Sequence, residues 1–246
     1  MRPNTRAPVL FITGTDTGVG KTVATAAIAA ALTTRPARAS AAGITVAVDK
    51  PTQTGMLPGQ PGDIQEVQRL AGVTSVTEGI RLRAAMAPVA AAAREGVALP
   101  TVHEHAARIR RLNQLHDHVL VEGAGGLLVQ LDGAGRTLAD LTATFASQAT
   151  VIVVCRSGLG TLNHTELTLE TLRRRGIHIT GLIIGSWPHN PDDIDLDNRR
   201  YLSALGAPLL GAVPAESSRL DPDEFRSRAP AWFYEPWQYG VGGADA

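Results

Sequence analysis

The stretch Gly14-Thr15-Asp16-Thr17-Gly18-Val19-Gly20-Lys21-Thr22 follows the apolar run Val9 to Thr13 and precedes an alanine-rich helix former, Thr22 to Leu32. Strand, glycine-rich turn and helix in that order form the context a phosphate-binding P-loop requires. Glycines let successive backbone N–H groups turn inward around phosphate oxygens, and the helix that opens there adds about half a positive charge at its N-terminus. On this reading Gly18 and Gly20 let the loop close around the phosphates. Lys21 reaches the β/γ-phosphates and the Thr22 hydroxyl ligates Mg²⁺. The strict spacing G-x-x-x-x-G-K-[ST] wants glycine at position 15, and here the glycine is Gly14. Taken alone, the segment is either a lengthened P-loop or a glycine-rich turn with an incidental lysine.

Outward from this loop, β-branched runs recur at Ile44 to Val48, His118 to Val121, Thr150 to Cys155, Ile177 to Ile184 and Leu209 to Val213. Stretches of helical periodicity separate them, which predicts an α/β fold: three layers, with a mostly parallel central sheet flanked by helices. Helices are expected over Asp63 to Ala71, Thr101 to Leu115, Thr137 to Ser147 and Asn163 to Arg175, with Gly72 and Gly176 as stops. Thr33 to Gly43 reads as a surface loop. Trp232, Phe233, Tyr234, Trp237 and Tyr239 are half of the ten aromatic residues and read as a packing surface. Residues 1–216 are therefore expected to form one domain, and 217–246 a C-terminal extension packing on it or on a dimer partner.

A length of 246 residues agrees with that division, since domains run to about 150 residues with a wide spread. Lys and Arg number 23 and so do Asp and Glu, so no global field favours nucleic acid or an acidic membrane as partner. No apolar stretch approaches the length of about 20 residues needed to cross a bilayer, and no secretory leader is legible at the start. The single cysteine, Cys155, excludes an intrachain disulfide and lies within an apolar strand, where it reads as core. A cytoplasmic protein is the expectation. His103 and His105 fall on different faces of one helix and cannot chelate a common ion.

Three further residues join the loop. Asp63 opens a helix, where it is an N-cap or a metal ligand. Glu122 closes the strand His118 to Val121 and precedes Gly123-Ala124-Gly125-Gly126. Ligands of open α/β sheets sit beyond the carboxyl ends of the strands, so Glu122 and the P-loop can share one crevice. With Thr22 these carboxylates make a plausible Mg²⁺ set. Lys50 ends the second strand in Lys50-Pro51-Thr52-Gln53-Thr54-Gly55, where it either extends to the sheet edge or brings a second ammonium to a transferring phosphoryl group.

Together, Gly14 to Thr22 (GTDTGVGKT), Lys50 to Gly55 (KPTQTG), Asp63, Glu122 to Gly126 (EGAGG) and Gly160 to His164 (GTLNH) resemble the dethiobiotin synthetase family. The resemblance runs from about Val9 to Glu216, and the longer loop that fails the strict P-loop pattern is normal in that family. It implies a P-loop NTPase fold and a ligase reaction in which 7,8-diaminopelargonic acid, CO₂ (or bicarbonate) and ATP give dethiobiotin, ADP and phosphate. It implies Lys50 and Lys21 as catalytic residues, and Thr54 and Asn163 as substrate-binding residues. The nucleotide falls to Gly18, Val19, Gly20, Lys21, Thr22, Val23, Asp63, Glu122, Gly123, Ala124 and Gly125, with Mg²⁺ on Thr22, Asp63 and Glu122. Gly185, Ser186, Pro214, Ala215 and Glu216 take the base side. There Gly185-Ser186 replaces the Asn-Asp pair that related enzymes often place against adenine.

Asn163 with Glu166 also reads as an N-cap and its N3 partner, and the family receives the substrate carboxylate at this helix end across a homodimer interface. His164 reads as a structural or interface residue. The rival from another class is a ParA/MinD-like ATPase switch, which shares the fold. Those proteins generally carry a lysine early in the P-loop where this chain has Asp16, and they act on DNA or membrane, for which no basic surface or tail is evident. A cobyrinate-type amidotransferase would need a glutaminase domain for which the chain is too short.

Overall fold

The strand that leads into the P-loop lies near the middle of the molecule. In the computed structural model, which describes residues 9–34 and 43–234, β1 (Val9–Gly14) is wholly buried. It pairs in parallel with β4 (His118–Gly126) on one side and β5 (Ala149–Cys155) on the other. With β2 (Val46–Gln53), β3 (Ser75–Arg81), β6 (Ile179–Trp187) and β7 (Leu209–Pro214) they form a seven-stranded sheet ordered β3-β2-β4-β1-β5-β6-β7, every paired neighbour parallel. Fully buried parallel strands read as near-continuous apolar runs, which is why β1 and β5 were legible. β3 was not: Ser75-Val-Thr-Glu-Gly-Ile-Arg81 is a half-buried edge strand of mixed polarity.

Two cores flank the sheet. On one face α1 (Lys21–Thr33) and α2 (Asp63–Ala71) pack with Leu10, Ile12, Val48, Leu120 and Ile152. α8 (Pro222–Arg228) joins this core through Phe225, and Ala229 and Phe233 complete it. On the other face α4 (Val102–Leu115), α5 (Leu138–Ala143) and α6 (Thr161–Arg174) cover Phe11, Ala47, Val121 and Val153, with Leu202 of α7 (Asp193–Leu202) at the margin. α1 carries six alanines among its thirteen residues, so this helix can lie close against the strands with ten of its residues buried. α3 (Pro88–Glu95) caps a small third cluster around Leu82.

Several boundaries differ from the sequence expectation. β4 continues through Glu122 to Gly126, so Glu122 lies inside the strand. Lys50 likewise lies within β2, because the pairing with β3 carries the strand on to Gln53. The expected helix from Thr137 to Ser147 is α5 followed by a separate 3₁₀ turn, Ala146–Gln148. α6 begins at Thr161, with Gly160 in the left-handed region (φ 84°) as its N-cap, so Asn163 is the third helical residue and caps nothing. The Thr161 hydroxyl is turned instead to the Arg156 carbonyl at 2.7 Å. α3 and α7 had no counterpart in the expectation. Most of the expected Thr33 to Gly43 loop, and Trp237 and Tyr239, lie outside the described residues. Among the described residues no helix is long and apolar enough to cross a membrane.

Candidate active site

The P-loop runs from β1 into α1 with Gly20 as helix N-cap at φ 92°, a backbone region that only glycine occupies readily. Lys21 folds back across its own loop, its ammonium donating to the Asp16 carbonyl at 2.9 Å. A Cβ on Gly14 would stand 2.8 Å from Lys21 Nζ and 2.7 Å from Asp16 O. The glycine at position 14 thus makes the room in which the lysine lies, and the longer loop keeps a physical reason for its first glycine. Arg156, at the end of β5, holds the Asp16 side chain at 2.9 Å.

Opposite the loop, Lys50 crosses from β2 to both carboxylates. Its Nζ lies 2.7 Å from Glu122 Oε1 and 2.5 Å from Asp63 Oδ2, and it also donates to the Gly123 carbonyl at 3.0 Å. Thr22 Oγ1 donates to the same Glu122 Oε1 at 2.9 Å. Lys50 and Glu122 are 3% and 1% exposed, so the pair is closed off from bulk water. Burial works against the Lys50 charge, but Glu122 and Asp63 outweigh it and raise the ammonium above its ordinary range. Asp63 is pressed upward by burial and held down more strongly by Lys50, so its carboxyl ends below its usual value. Lys21 is pushed down to about 8, first by burial and then by the Lys50 charge. Lys21 and Lys50 are the only lysines of the chain, the other 21 cationic side chains being arginine.

These groups open into one cavity of ≈ 610 Å³, within the usual range for a small-molecule site. Gly18, Gly20, Lys21, Thr22, Val23, Lys50, Thr54, Asp63, Glu122, Ala124 and Gly125 all line it. Val19 is buried behind the loop, and Gly123 enters through its carbonyl. Thr17, Thr52, Gln53 and the Ala85 to Pro88 loop also line the cavity and were not singled out by sequence. The Thr52 hydroxyl is buried without a partner, and Gln53 Oε1 accepts the Asp63 N–H at 2.9 Å, fixing the start of α2. Their presence in KPTQTG beside Lys50 and Thr54 was the available signal.

The base-side candidates stand apart from this cavity, at the ends of β6 and β7. Gly185 presses against the P-loop: a Cβ there would lie 2.0 Å from Val19 O. Ser186 is exposed, and Ala215 donates its N–H to Trp187 O at 2.6 Å between Pro214 and Glu216. Asn163 is exposed on α6 and is not among the cavity-lining residues. Cys155 is fully buried, and burial pushes its thiol up to about 12, which removes it as a nucleophile. His105 is buried while His103 lies against Arg136, so the two do not share a ligand.

A parallel sheet with a glycine-rich loop opening α1, two lysines and two carboxylates converging on one cavity, defines a P-loop nucleotide-dependent enzyme. A family model described as an AAA domain matches residues 9–222. The chain is 51% identical over 240 residues to the ATP-dependent dethiobiotin synthetase BioD of Streptomyces coelicolor, covering 97% of each chain. It is 47% identical over 230 residues to the protein of that name from Rhodococcus jostii, covering 93% of this chain and 96% of the other. The chain belongs to the ATP-dependent dethiobiotin synthetase family. Among solved structures it is similar to a ParA family ATPase from Chlorobium tepidum (TM-score 0.54, 15% identity, 91% and 93% of the two chains covered). The cell division ATPase MinD of Pyrococcus furiosus is similar to the same degree (TM-score 0.54, 18% identity, 94% and 92% covered). At such identities these two show a shared fold and nothing of activity.

Proposed function

We propose that this chain joins CO₂ to 7,8-diaminopelargonic acid and closes the ureido ring of dethiobiotin at the expense of ATP, as a cytoplasmic enzyme. The observation that carries the reading is the ammonium of Lys50, buried between Asp63 and Glu122 and facing the same cavity as Lys21. One substrate amine attacks CO₂, forming a C–N bond and losing a proton to give a carbamate. A carbamate oxygen takes the γ-phosphoryl group with ADP leaving, and the second amine then displaces phosphate from the carbonyl carbon. An alkylamine has a pKa near that of lysine, so presenting it neutral at pH 7 costs about 4.6 kcal/mol. Two fixed cations beside the amine reduce that cost by like-charge repulsion and then stabilise the carbamate anion. Thr54, on the loop after β2, is positioned to hold the substrate.

The same residues fit Mg²⁺. Glu122 Oε2 is buried without a partner, which is the feature a metal or its bound water would satisfy. Thr22, Asp63 and Glu122 would hold the ion together with phosphate oxygens and water, and the ion would neutralise charge on the phosphates. Among the described residues no group of three or more His, Cys, Asp or Glu side chains gathers for a metal, in keeping with a site that substrate completes. Gly18 to Val23 and Gly123 to Gly125 are assigned to the phosphates, and Gly185, Ser186, Pro214, Ala215 and Glu216 to the base. A homodimer is part of the proposal. Leu128, Leu159 and Leu167 are apolar and exposed, and Leu128 and Leu167 border a second cavity of ≈ 380 Å³. Asn163, exposed on the same helix as Leu167, would meet the substrate carboxylate of a partner.

Product identification with ATP, bicarbonate and diaminopelargonate, repeated with CTP and GTP, tests reaction and base choice together. Lys50→Ala is expected to lose dethiobiotin formation while nucleotide affinity stays largely intact; full turnover in that variant would remove Lys50 from the mechanism.

A further inference from the structure

Behind Lys50, on the opposite face of the sheet, lies a buried polar cluster that takes no part in the cavity. Asp49 is fully buried and accepts hydrogen bonds from Arg108 Nε at 2.7 Å, Arg108 Nη2 at 3.0 Å and Thr77 Oγ1 at 2.6 Å. The same Arg108 Nη2 lies 3.0 Å from His105 Nδ1. His105 is fully buried, and burial followed by the Arg108 charge lowers it to about 4. The ring is therefore neutral at pH 7 and its Nδ1 accepts the Arg108 N–H. On β3, a Cβ at Gly79 would stand 2.7 Å from Arg108 Nη2 and 2.8 Å from His105 Cε1, so this glycine leaves the space they occupy. Residues of β2, β3 and α4 thus converge on one carboxylate.

A buried ion pair adds little net stability, because desolvation offsets its attraction, and its best-attested use is to fix one arrangement among several. The arrangement here is the course of β2. Asp49, opposite Val121, is the last β2 residue paired with β4. From Lys50 onward β2 pairs with β3 alone, and Pro51 has no N–H to contribute to a ladder. Lys50 is thus the first β2 residue held on the β3 side alone. Neighbouring side chains of a strand point to opposite faces, so a clamp on Asp49 from behind fixes the direction in which Lys50 leaves in front. We propose that Arg108 is a positioning residue for Lys50: by gripping Asp49 from α4 it sets the rotation of β2 and so the place of the Lys50 ammonium in the cavity. The inference rests on the role proposed above for Lys50.

The experiment uses full-length protein carrying ¹³Cε-lysine, in which Lys21 and Lys50 supply all the lysine side-chain signals and Lys50→Ala assigns them. In Arg108→Met the Lys50 signal is expected to move or broaden. The kcat for dethiobiotin should fall about ten- to a hundredfold, as for a catalytic group misplaced by about 1 Å, with KM for ATP nearly unchanged. Arg108→Lys should restore part of the loss. Thr77→Val, which removes one hydrogen bond and leaves the ion pair, should shift both readouts in the same direction by less, and it serves if Arg108→Met does not fold. A Lys50 signal that stays in place in Arg108→Met and Thr77→Val would overturn the clamp, whatever happens to turnover. Full turnover in Lys50→Ala would instead strike the reading of Lys50 itself.

Discussion

At Lys21, burial and function pull in opposite directions. Its ammonium is lowered from 10.5 to about 8 by desolvation and by the nearby Lys50 charge. Because the folded value lies below the unfolded one, the unfolded chain binds this proton more tightly. The associated stability is complete above pH 10.5, is lost as pH falls through about 8, and at pH 7 amounts to a cost of about 3 kcal/mol. Lys21→Met, similar in shape and uncharged, should therefore raise the urea midpoint of the nucleotide-free protein at pH 7 while abolishing ATP binding. The gain should shrink as pH approaches 10.5; equal midpoints at pH 7 would count against the burial of a charged Lys21. The residues of this site could be read from the sequence because each stands at a glycine-rich turn, a helix start or a strand, where few structural needs explain a charge. Arg108 and Asp49 could not, since 59 residues separate them and only the packing of α4 on the sheet brings them together.

Among the elements, the contact between the P-loop and β6 is the most confining. A Cβ on Gly185 would lie 2.0 Å from Val19 O and 2.6 Å from Val154 Cγ1, while one on Gly20 would lie 2.3 Å from Gly185 O. Two backbones here touch without side chains between them, a use of glycine that close approach requires. Gly185→Ala must therefore push the loop outward, and we expect ATP affinity measured by calorimetry to fall by about tenfold or more, at 1.4 kcal/mol per decade, with the circular dichroism spectrum retained. An unchanged Kd would mean the loop yields freely. This also gives Gly185 a packing role at the position where the resemblance led us to look for a base contact. Element boundaries were less legible than element existence. The start of α6 was misread because Asn163 and Glu166 mimic a cap, whereas Gly160 supplies the turn and the Thr161 hydroxyl bonds the Arg156 carbonyl. β3 escaped because an edge strand need not be apolar on both faces, and Gly79 within it serves its neighbours more than the strand.

On the scale of the whole molecule, residues beyond 216 share the main core. Phe225, fully buried, packs edge-on against Trp232 with ring centres 5.1 Å apart, and Phe233 bridges to Gly211 of β7 while Tyr234 donates its N–H to Leu210 O. This covers part of β7, an edge strand of the sheet, and lays α8 on α1 and α2. Phe225→Ala should cost about 3–5 kcal/mol, and a chain ending at residue 216 should melt far lower than the full chain in calorimetry. Equal melting temperatures would make the segment an appendage. The parallel sheet, and a packing role for Trp232 and Phe233, were foreseeable from composition and alternation. Which face of the sheet the cluster covers was not, because that depends on α8 and the turn after it packing against α1 and α2, far away in the sequence.

The chain's lysine usage has a practical consequence. With arginine at every other cationic position and both ε-amines inside the cavity, the described surface offers guanidinium groups for salt bridges and hydrogen bonds but no lysine amine for acylation. Reagents that acylate lysine amines, which decorate most proteins at random, here find both of their lysine targets in the cavity. Coupling this protein to a solid support through its lysines would consume the cavity itself, and attachment through another functional group is the route that leaves it open.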